Sequence, residues 1–154
     1  MARDEYIGYL IARTHKVLKK RLTTFLNRYD LTVRQHGVLN VLYEEDGLPA
    51  RELVVRLFSD SSTIMDIIDR LEEKDLVKRE ADPQDRRVNR IFLTDKARIL
   101  LPKIKSQTDR FEQAVYRRLL PQEIDALKTG LNKLCRLASG KEETVGVKAG
   151  KGKS

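Results

Sequence analysis

The stretch from Asp82 to Thr94 constrains the fold of this 154-residue chain more than any other. It sets Asp82-Pro83-Gln84-Asp85-Arg86-Arg87 between two short runs, with Arg79 and Ala81 before the turn and Ile91 and Leu93 alternating with Phe92 after it. Period-two alternation interrupted by Asp, Pro and Gln predicts a β-hairpin. Arginines at the tip of such a hairpin have little packing use. Guanidinium groups on a narrow, projecting loop suit phosphates or the electronegative minor groove of DNA. Directly upstream, Asp60 to Glu73 carries Ile64, Ile67, Ile68 and Leu71 at helical spacing. A helix with one free face is therefore followed at once by a basic hairpin, the arrangement of a winged helix-turn-helix.

The rest of the chain reads as helix. Ile7, Leu10, Ile11, Val17, Leu18, Leu22, Phe25, Leu26 and Tyr29 keep a helical period, predicting a first helix from about Asp4 to Tyr29. Thr32 resembles the N-cap of a second helix holding Val38, Leu39, Val41 and Leu42, which stops at Asp46-Gly47. A short helix from Ala50 to Phe58 follows Pro49, and Asp60 caps the next by accepting backbone N–H bonds. Lys74-Asp75 ends it, aspartate being among the few non-glycine residues that tolerate a left-handed C-terminal position. After the hairpin, Thr94 caps a helix from Asp95 to about Leu119, with a kink or break expected near Leu101 because Pro102 lies inside it. Pro121 opens a last helix carrying Ile124, Leu127, Leu131, Leu134 and Ala138.

The expected fold is mostly α with a small β-hairpin wing. One domain covers residues 1–140, its winged helix-turn-helix at about 32–94 flanked by N- and C-terminal dimerisation helices at about 4–29 and 95–139. The terminal helices carry more apolar surface than so small a module can cover. Interdigitation in a homodimer is the economical solution, and a two-fold pair would set two reading helices about 34 Å apart. Residues 141–154 turn rich in Lys, Gly and Glu without periodicity and read as a basic, disordered tail.

Charge and composition narrow the function. The formal net charge is +8, and only +2 of it falls in residues 141–154, so a folded face is basic and a polyanionic partner is favoured. One cysteine, Cys135, excludes an intramolecular disulfide or a multi-cysteine metal site and reads as a packing residue of the last helix. The two histidines fall in different helices, leaving little for a histidine-rich zinc site. No Gly-rich phosphate loop, nucleophile–base set or metal-ligand spacing appears, so neither an enzyme, a cofactor nor a metal is expected. With no apolar run long enough to span a bilayer and no signal peptide, the expected address is cytoplasmic.

These residues together resemble the multiple antibiotic resistance regulator (MarR) family of transcription factors. The resemblance runs from Leu31-Thr32-Val33-Arg34-Gln35-His36-Gly37-Val38-Leu39 through Glu52-Leu53, Ser62-Thr63-Ile64 and Asp69-Arg70-Leu71-Glu72-Glu73-Lys74. It continues through Leu76-Val77-Lys78-Arg79 to Asp85-Arg86-Arg87 and Leu93-Thr94-Asp95-Lys96-Ala97. It implies a homodimeric, ligand-responsive repressor of a pseudo-palindromic double-stranded operator. In the wing it makes Asp85 the brace of a minor-groove probe, Arg87, with Arg86 a phosphate or second groove contact. The plain structural alternative is an Asp85–Arg87 pair that only tightens a surface turn.

In the recognition helix the resemblance points to Ser61, Ser62, Thr63, Asp66 and Arg70, and at the start of the second helix to Thr32, Arg34 and Gln35 against the DNA backbone. Helix-start chemistry would account for the serines and threonines as well. Two positions depart from the family. Asp66 replaces a common basic residue, and can accept from cytosine N4 or repel phosphates and sharpen selectivity. Asp75 replaces a usual glycine.

The resemblance also implies a small aromatic acid or phenol as effector, in a cleft that Tyr9, Arg13 and His36 would line, Arg13 meeting a carboxylate. Ordinary core packing is the competing reading of the tyrosine and the histidine. Redox-sensing relatives carry a cysteine near the start of the first helix, and this chain has none there. A function of a different class, a winged helix used for protein–protein contact with an incidental basic face, would lack a salt-dependent preference for particular DNA sequences.

Overall fold

A computed structural model describes residues 6–139. The expected tail at 141–154 and the Asp4 end of the first helix lie outside these residues. The elements follow in the order α1 (Ile7–Leu26), a 3-10 turn (Asn27–Tyr29), α2 (Val33–Glu44), β1 (Leu48–Pro49), α3 (Ala50–Arg56), α4 (Ser61–Glu73), β2 (Val77–Ala81), β3 (Asn89–Leu93), α5 (Asp95–Tyr116) and α6 (Pro121–Ala138). The chain divides into two compact units, one ending at Asp109 and the other beginning at Arg110.

The first unit is built around one apolar core. Leu26, Val38, Leu39, Leu42, Leu53, Ile64, Ile68 and Leu71 are fully enclosed, joined by Ile91 and Leu93 from the hairpin and by Ala97, Leu101 and Ile104 from α5. Five helices and one sheet face thus bury apolar side chains against one another, those of α2, α4 and α5 at helical spacing.

Helix boundaries are chemically marked. Thr32 Oγ1 accepts from the Gln35 backbone N–H at 3.1 Å while Gln35 Oε1 accepts from the Thr32 N–H at 3.0 Å, a reciprocal capping box at the start of α2. Thr94 caps α5 through Ala97 N–H at 3.2 Å and donates its own hydroxyl to the Asp75 carbonyl at 2.8 Å. Replacing Thr32 by alanine is expected to cost about 1 kcal/mol in chemical denaturation, with the slope against denaturant unchanged. Asp75 does adopt the left-handed conformation, at φ 56°.

The hairpin pairs β2 with β3 in antiparallel register from Val77 opposite Leu93 to Ala81 opposite Asn89. It is not a free ribbon. Leu48 and Pro49 form a third strand against Ile91 and Arg90, giving the order β1-β3-β2. Proline suits such an edge position because its missing N–H faces away from the ladder. Gly47 enters that strand at φ +72°, and a Cβ there would lie 2.6 Å from the Phe92 ring. Asp46 accepts the Leu93 N–H at 2.9 Å and pairs with Arg98, which ties the same corner to α5.

Two expectations need correction. Of the kink or break expected near Leu101, the break is absent, because α5 runs unbroken through Pro102. Proline removes one hydrogen bond, to the Arg98 carbonyl, but Arg98 and Pro102 are both on the exposed side, where that carbonyl faces solvent. The first helix gives way to the 3-10 turn at Asn27 and closes with Asp30 left-handed at φ 53°. Lys74 clamps that residue, reaching Asp30 Oδ2 at 2.8 Å.

Apolar side chains stay exposed on the terminal helices. Ile7, Tyr9, Leu10 and Val17 are uncovered on α1, and Leu127, Leu131, Leu134 and Leu137 on α6.

Candidate nucleic-acid interface

The wing tip is organised by two aspartates with separate tasks. Asp82 is buried at the base of the turn, where Oδ1 accepts the Gln84 N–H at 2.8 Å, an Asx turn that shapes the bend. Its Oδ2 holds Arg90 Nε, and Arg90 in turn donates to the Gly47 carbonyl at 3.0 Å. The loop closes with Asp82 N–H to the Val88 carbonyl at 2.8 Å and Val88 N–H to the Asp85 carbonyl at 2.9 Å.

Asp85 serves Arg87. Its Oδ1 accepts from Arg87 Nε at 3.0 Å and its Oδ2 from Arg87 Nη2 at 3.1 Å, while the Arg87 backbone N–H adds a third bond at 3.1 Å. This fork fixes the plane of the guanidinium although the Arg87 side chain is 90% exposed. Arg86 beside it is exposed.

The Gln84 N–H and Arg90 hold the Asp82 carboxyl below the usual carboxylate range, and Arg87 does the same for Asp85. A carboxyl depressed in the folded state stabilises the fold above its unfolded value of about 3.9, and that contribution is lost as pH falls through the folded value. The wing should therefore loosen in acid, below about pH 4. Protection factors at the Gln84 and Arg87 amides that fall as pH drops would report it, and unchanged protection down to global unfolding would contradict it.

α4 starts at Asp60, whose Oδ1 accepts the Thr63 N–H at 2.8 Å and the Ser62 hydroxyl at 2.6 Å, while Oδ2 accepts the Thr63 hydroxyl at 2.7 Å. The Ser62 hydroxyl, then the Thr63 N–H and hydroxyl, hold this carboxyl far below the usual range. Ser61, Ser62, Asp66 and Arg70 are exposed along one side of the helix, and Thr63 is half-buried. Arg79 of β2 pairs with both Asp69 and Glu72 and so fastens the wing's first strand to α4.

An open cleft of about 610 Å³ lies between the start of α2 and α4, and Thr32, Arg34, Gln35, Thr63, Asp66 and Arg70 all line it. Six residues singled out in the sequence thus converge in space. Gln35 does not stand as expected: it is only 3% exposed, and its side-chain oxygen is committed to the Thr32 N–H. It holds the helix start in shape and offers little to a phosphate backbone, whereas Arg34 is exposed.

Tyr9, Arg13 and His36 are placed differently. Tyr9 and Arg13 lie one turn apart and exposed on α1, whereas His36 is buried in α2 with Nδ1 3.4 Å from Asn40 Nδ2. Burial pushes the His36 pKa down, so its imidazole is neutral near pH 7. None of the three lines the cleft at α4. Cys135 is exposed on α6. Among the described residues no helix is long and apolar enough to cross a membrane, and no cluster of His, Cys, Asp and Glu could hold a metal ion.

The sequence pattern gave Asp82, Arg90 and Arg79 no part in the site. The Asp-Pro pair at 82–83 signals an Asx turn, but nothing local links Arg90 to Gly47 or Arg79 to α4.

Residues 29–88 match the family model described as MarR family. The chain is 44% identical over 101 residues to the HTH-type transcriptional regulator TtmR of Methylorubrum extorquens (strain PA1), covering 66% of this chain and 52% of that protein. It is 30% identical over 118 residues to the uncharacterized HTH-type transcriptional regulator YsmB of Bacillus subtilis (strain 168), covering 77% of this chain and 81% of that one. The match thus spans about half the length of TtmR but most of YsmB. Among solved structures, the S. aureus MepR-DNA complex superposes with a TM-score of 0.79 at 27% identity, over 90% of this chain and 99% of that one. CouR from Rhodococcus jostii RHA1 bound to p-coumaroyl-CoA gives 0.80 at 27% identity, over 87% and 94%.

Proposed function

Because this chain belongs to the MarR family, we propose that it is a homodimeric transcriptional repressor that binds a pseudo-palindromic DNA operator and responds to a small ligand. The observation that carries this reading is the Asp85–Arg87 fork on a hairpin pinned beside α4. A surface pair contributes little stability, yet here it fixes a cation at the tip of a projection. α4 enters a major groove, Arg87 the adjacent minor groove, and Arg34, Arg86 and Arg70 supply backbone contacts. The likeness to MepR, solved with DNA, supports the same reading.

The exposed apolar side chains of α1, and separately those of α6, are the surfaces that a second copy of the chain would cover, and the helices before and after residues 32–94 serve dimerisation within one domain. CouR is solved with p-coumaroyl-CoA, and an aromatic or phenolic effector is the corresponding proposal here, with Tyr9, Arg13 and His36 as the residues to test. The protein works without catalysis, in the cytoplasm where its operator lies.

Genomic fragments selected by the purified protein and footprinted would test this. The expected footprint is two-fold symmetric, with affinity that falls steeply as salt rises while the sequence preference persists. Binding without sequence preference, or a footprint lacking symmetry, would overturn it.

A further inference from the structure

The winged module carries more acid than base. Across residues 32–94, ten Lys and Arg stand against thirteen Asp and Glu. Six of those ten cations, Arg56, Lys74, Lys78, Arg79, Arg87 and Arg90, are held in ion pairs. α1 and its closing turn are the opposite. Residues 6–29 hold six Lys and Arg and no Asp or Glu. Lys16, Lys19, Lys20, Arg21 and Arg28 are exposed, and none forms an ion pair with a described residue.

Helical spacing gathers part of this charge on one face. Lys16, Lys20 and the capping residue Asn27 fall within about 40° of one another around the axis, with Lys19 beside them. Leu22 and Phe25 lie on the far side, packed against the core. Asn27 also lines the cleft at α4, together with Arg34 and Arg70. The lysines therefore continue that cleft along α1, Lys20 and Lys16 standing roughly 10 and 16 Å up the helix from residue 27.

Such clustering does not serve the helix itself. Lys16 and Lys20 stand one turn apart, a like-charge pair that weakens a helix, whereas α5 sets Lys105 and Asp109 at the same spacing as an opposite pair. A cationic face kept free of carboxylates, and continuous with a cleft that faces DNA, suits phosphates. We propose that Lys16, Lys19 and Lys20 bind the backbone of the DNA flanking the operator, beyond the base pairs that α4 and the wing read. This rests on the DNA-binding reading given above.

The test titrates the full chain against two forms of a duplex it has selected from random sequence. One ends at the edges of the footprint, and the other carries roughly 10 further base pairs, one helical turn, on each side. At low salt the native protein should bind the longer form roughly ten- to hundredfold more tightly, and log K should fall more steeply with log salt. Lys16→Gln, Lys19→Gln and Lys20→Gln combined should bind both forms alike, with the slope on the longer one lower by roughly two to five. Glutamine keeps the helix propensity of lysine and removes the repulsion, so the thermal midpoint should not fall. Arginine at all three positions should restore the dependence on length.

No loss on the longer duplex, or an equal loss on both, would overturn the proposal while leaving the DNA-binding reading intact. A loss seen instead on single-stranded RNA or on phosphatidylserine vesicles, with the longer duplex unaffected, would give the surface to another polyanion and overturn it too. Failure to enrich any duplex would overturn both the proposal and the reading it rests on.

Discussion

Arg87→Ala will weaken operator binding roughly ten- to hundredfold while leaving the thermal midpoint unchanged. The affinity falls because this guanidinium is held in a fixed plane at the exposed wing tip, by two bonds to Asp85 at 3.0 and 3.1 Å. The midpoint stays because a side chain 90% exposed has little to lose on truncation. Arg87→Lys should rescue poorly, since an ammonium cannot span both oxygens of Asp85 while still presenting a flat edge to the groove. Asp85→Ala should give a smaller loss, and the two substitutions together should cost less than their sum, because each removes the same oriented probe. Fluorescence anisotropy on a selected duplex measures all four proteins. Unchanged affinity for Arg87→Ala would remove the wing from the binding mechanism.

The largest effect on the fold itself is expected at Gly47. Alanine there must hold φ near +72°, which costs about 1–2 kcal/mol for a residue with a Cβ. The Cβ would also sit 2.6 Å from the Phe92 ring, so the ring must move out of its place on β3. Together these predict a loss of about 2–3 kcal/mol in denaturant unfolding. In a Phe92→Ala background the steric part disappears and only the backbone part, about 1–2 kcal/mol, should remain. Equal costs in both backgrounds would show that the ring plays no part. The Gly47 carbonyl also receives Arg90, so Gly47→Ala should disturb the wing and lower operator affinity beyond what partial unfolding explains.

Much of this architecture was legible because each piece was local. The stripe Ile64, Ile67, Ile68 and Leu71, the Thr32 and Asp60 caps and the alternation around Phe92 each report on the element that contains them. What stayed hidden depends on residues far apart in the chain. Leu48-Pro49 becomes a strand only because Ile91 and Arg90 lie opposite, and two residues carry no period. Gln35 looked like a polar residue at an exposed helix start, but the capping box turns its amide inward. Pro102 looked like a break, yet the apolar face on either side of it, Ala97, Leu101 and Ile104, keeps α5 in one piece. Asp85 and Arg87 were readable as a pair two residues apart. Their anchor, running through Asp82, Arg90 and Gly47, was not.

The buried position of Asp82 has a bearing on the order of events when the protein meets its partner. From residue 82 to residue 90 the loop carries two aspartates and three arginines, so the whole projection bears one net positive charge. Such a tip exerts little pull at a distance, and the basic surface elsewhere on the chain must capture the duplex first. The wing then acts late, at contact range, where shape matters more than field. Changes at its tip should therefore shorten the lifetime of the complex while barely altering the rate at which it forms.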